Sequence, residues 1–205
     1  MTLPRNINLK ALPEFEWRRV NVTGVWDNAH SVLLGPRVKD NKNGFNLITP
    51  LKRPGATTIL VDRGFVEHDL GPNARDCKTG GLADDCTVEV VGMLRLQATQ
   101  NAFTPENKPE TGEWYWPDIE QLAQYAGGKE AGVQPVLVEA IHQGTIANRL
   151  QDLKEGVPVG RSAVVDVRNE HATYAIIWYS LSGVTSLMFF ALLRGRRRRP
   201  IRPLR

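Results

Sequence analysis

At 205 residues with 41% hydrophobic and 23% charged content, the chain has room for one well-cored domain and an appendage, not for two ordinary domains. Its net charge of +4 is local: seven arginines follow Leu193, leaving 19 basic against 22 acidic residues up to that point, a net of −3. Such a distribution excludes a nucleic-acid-binding surface over the body of the chain.

The first stretch, "MTLPRNINLK" (1–10), has neither the apolar core of a secretory signal nor the basic amphipathic pattern of a transit peptide. Residues 1–13 read as a lead-in to a domain over 14–167. "EWRRVNVTGVW" (16–26) alternates as a half-buried strand does, setting Trp17, Arg19, Asn21 and Thr23 opposite Arg18, Val20, Val22 and Gly24. Further strands are predicted within 30–38, 45–51, 57–66, 86–97 and 135–141, with polar links of hairpin length at "KDNKNG" (39–44) and "RPG" (53–55). "NVT" (21–23) fits the glycosylation pattern but falls mid-strand and is discounted. Cys77 and Cys86 lie in a Gly/Asp-rich loop, equally open to a disulfide and to two free thiols, and no zinc-site spacing exists.

One helix is predicted over "WPDIEQLAQYA" (116–126), with Pro117 in its first turn, Asp118 and Glu120 near its positive end and Gly127-Gly128 as the stop. The acids of "EWYWPDIE" (113–120) read as helix caps rather than an acid/base pair, and Trp114, Tyr115 and Trp116 as core or partner-facing aromatics. The fold class is therefore mainly β, an antiparallel barrel or sandwich-like domain with one packed helix. No phosphate loop or nucleophile signature appears, and His30, His68, His142 and His171 lack ligand spacing, so the expectation is a protein that is not an enzyme.

After the domain comes a C-terminal transmembrane α-helix over 168–193. Its apolar core, Ala172 to Leu193, runs 22 residues without a charge. At about 1.5 Å per residue that length crosses a hydrocarbon core of about 30 Å. Tyr174, Trp178 and Tyr179 suit the interface, and the tail 194–205 supplies a basic flank. The positive-inside rule keeps that tail on the cytoplasmic or matrix side and puts the domain across the membrane. Nothing in residues 1–10 would carry it there, so either a targeting segment is lacking from this chain or the domain is cytosolic behind a tail anchor. At 100° per residue, His171, Ala175, Trp178, Ser182, Thr185 and Ser186 share one face within about 100°, with Ile176, Val184 and Leu187 opposite. A face of small and hydroxyl residues is expected to meet a second span or a second copy. Asn169 is placed to cap the helix, with Glu170 in the first turn. A histidine just outside the apolar run also needs no function at all, and that reading stays open.

Six segments in order carry a resemblance: "EWRRVNVTGVWDN" (16–28), "VLLGPR" (32–37), "ILVDRGFV" (59–66), "ENKPETGEWYWPDIEQLA" (106–123), "GVPVGR" (156–161) and "NEHATYAIIWY" (169–179). Together they resemble the Surfeit locus protein one (Shy-one) family of cytochrome c oxidase assembly factors. The resemblance implies a chaperone-like role in assembly of respiratory chain complex IV, assisting haem a insertion during maturation of the largest oxidase subunit. It implies location in the mitochondrial inner membrane, with the domain facing the intermembrane space. Partners would be that subunit, assembly intermediates and the lipid membrane, with no nucleic acid. It also makes His171, which matches a proposed axial ligand of haem iron, the one candidate cofactor and metal residue, haem a being held only transiently. The family's first span and its Gly-x-Trp-Gln stretch do not appear here, so that anchor is expected to be missing from this chain. The alternatives are a haem-independent scaffold for oxidase intermediates and a tail-anchored adaptor with a cytosolic β domain.

Overall fold

A computed structural model describes residues 1–73, 87–97, 99–100, 102–163 and 170–197; Cys77, Cys86 and Asn169 lie outside them. The chain divides into two units, Met1–Ala163 and Val164–Arg205. Seven strands, β1 (Arg19–Trp26), β2 (Val32–Lys39), β3 (Lys42–Lys52), β4 (Thr58–Glu67), β5 (Thr87–Arg95), β6 (Val133–His142) and β7 (Arg161–Ser162), belong to the first unit with helices α1 (Ile119–Tyr125) and α2 (Ile146–Lys154). The second unit contributes α3 (His171–Arg197).

Five strands close on themselves in the order β1-β5-β6-β4-β3, and β3 returns to β1 through Val25 opposite Lys52 and Trp26 opposite Leu51. The closing corner needs Gly24, where a Cβ would come within 2.5 Å of the Lys52 carbonyl oxygen. β2 extends the sheet beyond β3, and β7 pairs with β6. The fold is mainly β, and most pairings are antiparallel. β4 and β6 run parallel, because β5 and α1 intervene in the chain and form the crossover that a parallel pair requires.

Burial explains which strand pattern each segment shows. β1 alternates exposed and buried positions, putting Val20, Val22 and Trp26 inside. β3, β4 and β6 are covered on both faces and so read as near-continuous apolar runs. Ile59, Val61, Val136 and Val138 join Val20 and Leu51 in one cluster, while Leu60, Leu137 and Ile48 pack on the other face under Ile119 and Leu122 of α1. The lead-in adds Ile7 and Leu12 to the first cluster. Arg53 holds it there, donating from Nη1 to the Pro4 carbonyl (3.0 Å) and from Nη2 to that of Arg5 (3.3 Å).

α1 is shorter than predicted. Asp118 is its N-cap, accepting from the Gln121 amide at 3.1 Å, so Pro117 stands before the helix rather than in its first turn. Gly127 and Gly128, at φ of +103° and +59°, follow its end. Trp114 is core, packed edge-on against Tyr125 at 5.5 Å, whereas Tyr115 and Trp116 are half-buried. The β2–β3 link is also tighter than "KDNKNG" suggests: only Asp40 and Asn41 turn, both at positive φ, as a two-residue hairpin wants. α2 was not anticipated. Thr145 caps it, and its buried contact is Leu153 against Phe65 and Val159, too little apolar pattern in nine residues to register as a helix.

Candidate functional site

In the second unit, α3 begins at His171, and His171–Gly195 is long and apolar enough to cross a membrane. The imidazole is exposed, as are Ala175, Trp178, Ser182, Thr185 and Ser186, which the helix puts along one side. Some of the hydroxyls of α3 are already satisfied by its own backbone: Thr185 Oγ1 donates to the Leu181 carbonyl (2.9 Å) or that of Ser182 (3.0 Å), and Ser180 Oγ to that of Ile176 (2.7 Å). At Thr185, then, the face offers a neighbour small size rather than a spare donor. The three histidines of the first unit each have their own acidic neighbour. His30 pairs with Asp27 (2.9 Å), His68 with Asp69 (3.3 Å), and His142 lies 4.0 Å from Asp152. Among the described residues no group of three or more His, Cys, Asp or Glu could hold a metal ion.

The first unit holds a polar cleft of about 220 Å³ in the barrel wall. Its floor is made by a bulge in β4. Leu47 faces Gly64 and Ile48 faces Asp62, leaving Arg63 as the extra residue. Gly64 has φ +113°, and a Cβ there would sit 2.1 Å from the Val159 carbonyl oxygen. Glycine thus lets the strap 156–160 lie flat on β4, where Phe65 and Val159 exchange two backbone hydrogen bonds of 2.9 Å. The strap in turn delivers Arg161 to the cleft.

Asp62 accepts from the Gly64 amide through Oδ1 (2.9 Å) and from Asn46 Nδ2 through Oδ2 (3.0 Å). Burial nevertheless pushes its carboxyl up to about 6, helped by Glu139 beside it, with which it is in register across the parallel β4–β6 pair. Glu139 Oε2 receives Arg161 Nη1 at 3.3 Å and Arg95 Nε at 3.5 Å. Over those guanidiniums lies Trp17, 3.7 Å from that of Arg95 and 5.3 Å from that of Arg161. Trp17 is half exposed at φ +66°, a backbone state that a bulky residue adopts only when its surroundings impose it. Lys39 and Arg149 complete the rim; Arg149 pairs with Asp40, and burial pushes the Lys39 ammonium down.

None of these cleft residues was singled out from the sequence. A usable signal existed in "TILVDRGFV", where a charged pair and a glycine interrupt a strand otherwise buried on both faces. Three of the six segments that carry the family resemblance meet here, 16–28 through Trp17, 59–66 through Asp62 and 156–161 through Arg161.

A closed, helix-covered β barrel followed in the same chain by a helix able to span a bilayer defines a β-domain protein with a candidate C-terminal membrane span. A profile described as the SURF1 family matches residues 1–183, barrel and helix start together, and the chain belongs to that family. It is 32% identical over 203 residues to Surfeit locus protein 1 of Homo sapiens, covering 90% of this chain and 62% of that protein. A SURF1-like protein of Monosiga brevicollis is 32% identical over 194 residues, with 89% and 69% covered, and Surfeit locus protein 1 of Arabidopsis thaliana 29% over 237 residues, with 94% and 65% covered. The chain thus spans under two thirds of the human relative's length.

Proposed function

We propose that this protein is a non-enzymatic assembly factor for cytochrome c oxidase, respiratory chain complex IV, assisting haem a insertion into the largest oxidase subunit. The family match over 1–183, which takes in both the barrel and His171, carries the reading. In this reading haem a is cargo, α3 lies in the mitochondrial inner membrane and the barrel faces the intermembrane space. The arginines after Leu193 support that orientation, since basic flanks stay on the matrix side. An exposed imidazole at the head of α3, with small Ala175 one turn on, suits one axial position on the iron. A second axial ligand comes from a partner span, a second copy or the oxidase subunit, packed on the Ala175, Ser182 and Ser186 side.

The protein's own part is to present one imidazole at the membrane interface and to hold assembly intermediates through the barrel. His171→Ala tests it in full-length protein purified from membranes that make haem a. The haem absorbance that co-purifies should fall to background while membrane retention is unchanged. Haem retained at the parent level removes His171 from the reading and leaves the scaffold role.

A further inference from the structure

The cleft in the barrel wall has an imbalance that the oxidase-assembly reading does not use. Four cations face it or its walls from four elements: Lys39 on β2, Arg95 on β5, Arg149 on α2 and Arg161 on β7. Arg149 is paired with Asp40, and Arg95 and Arg161 share Glu139. Lys39 is half-buried, and its ammonium makes no ion pair or hydrogen bond among the described residues; the Asp40, Asp62 and Glu139 carboxylates act on it only through space. A half-buried charge without a direct partner is costly, so this one stands where a counter-ion would be favourable.

We propose that the cleft is a binding site for a small dianionic tetrahedral oxyanion, of the phosphate class, with Lys39 as its principal counter-charge and Arg161 and Arg149 flanking it.

Charge and space both point there. Four cations stand against the carboxylates of Asp40, Asp62 and Glu139, an excess of one that becomes two when Asp62 takes up a proton, so the site keeps a net positive charge in both states. About 220 Å³ takes such a group with several waters and leaves no room for a large organic ligand. Asp62 already accepts on both oxygens, so a proton on it would turn toward the cleft and donate to the bound anion. The groups facing Asp62 are Asn46 on β3, Glu139 on β6 and Lys39 on β2, and among them Asp62 is the carboxyl that burial raises. Binding should therefore tighten as Asp62 takes up its proton.

Sulfate is the probe for pH, because it stays a dianion throughout the range. Calorimetric titration of the full chain in detergent micelles, at constant ionic strength, should show sulfate binding at about pH 5, weakened about tenfold or more at about pH 8, where one added negative charge opposes it. Lys39→Gln should weaken binding about tenfold or more at both pH values, by removal of one close opposite charge. Asp62→Asn should bind equally at both, and Lys42→Gln, whose lysine pairs with Glu67 outside the cleft, should match the parent. Near-UV circular dichroism of each variant shows whether the barrel is intact. At neutral pH, inorganic phosphate and glycerol 3-phosphate separate the sources: equal binding supports a phosphate group presented on a larger molecule, binding of phosphate alone a free ion. No sulfate binding at pH 5, or parent-like binding by a folded Lys39→Gln, overturns the site. Neither result bears on haem retention by His171, so the two readings fail separately.

Discussion

The barrel and α3 have similar residues and opposite surroundings. Leu47, Ile59, Val61, Val136 and Val138 are fully buried, whereas none of the apolar window of α3 is. The barrel's apolar side chains leave water by packing against one another, so its stability is contained in the unit itself. Ile176, Val184, Leu187 and Phe190 are each more than half exposed, an apolar surface of the length and composition that a bilayer's hydrocarbon can cover. A substitution in the packed barrel and one in the candidate span should therefore be felt separately.

Ile59→Ala should show the largest effect. It opens a cavity in a cluster where Ile59 has no exposure, and truncations of this kind cost about 2–5 kcal/mol. For a unit of this size that lowers the melting temperature by about 5–15 °C, followed by near-UV circular dichroism in detergent. Retention of the chain in carbonate-washed membranes should not change. Val184→Arg reverses the pattern. It puts a charge at the middle of α3, where insertion is penalised by about 2.5–3.5 kcal/mol, so part of the chain should move to the carbonate supernatant while the barrel melts as before. A Val184→Arg chain held fully in the membrane pellet would contradict the span. A Val184→Arg barrel that melts early would show that the two regions do not respond independently.

What the residues disclosed in advance follows the range of the interactions involved. β1 was legible because its alternation is local, β4 and β6 because burial on both faces makes them apolar runs, and α3 because 22 residues lack any charge. Closure of the barrel was not, since it rests on Val25 meeting Lys52, and the parallel β4–β6 pair depends on Asp62 meeting Glu139 across a long crossover. α2 escaped because, among its described side chains, Leu153 is the buried anchor in a polar stretch. The candidate sites divide in the same way. His171 stands out at the border of an apolar run, but the cleft draws Lys39, Asp62, Glu139 and Arg161 from four separate segments, and Trp17, at left-handed φ, lays its ring over Arg95 and Arg161 from a fifth. A constellation of that kind becomes visible only once the strands are in register.

Asp62 gives the smallest effect and the finest test, because it is a polar site inside the water-excluding unit. Its folded carboxyl titrates at about 6 against an ordinary 3.8, with burial as the main cause. Between those pH values the folded chain holds a proton that the unfolded chain has released, so stability falls as pH rises through the window and levels off above about 6. Two units at about 1.36 kcal/mol each, reduced because water enters the cleft, come to about 2 kcal/mol. Asp62→Asn keeps an oxygen for the Gly64 amide and removes the charge. It should therefore be more stable than the parent at about pH 8 by that amount, and indistinguishable from it at about pH 3, below both pKa values, with the melting temperature differing by about 4–8 °C at the higher pH. Other groups titrate in both chains, so the difference between the two pH profiles isolates Asp62. Parallel profiles would mean that the carboxyl is as well hydrated as one on the surface. The cleft would then be wet enough to screen Lys39 as well, and the oxyanion site would lose much of its electrostatic basis without any change in the case for His171.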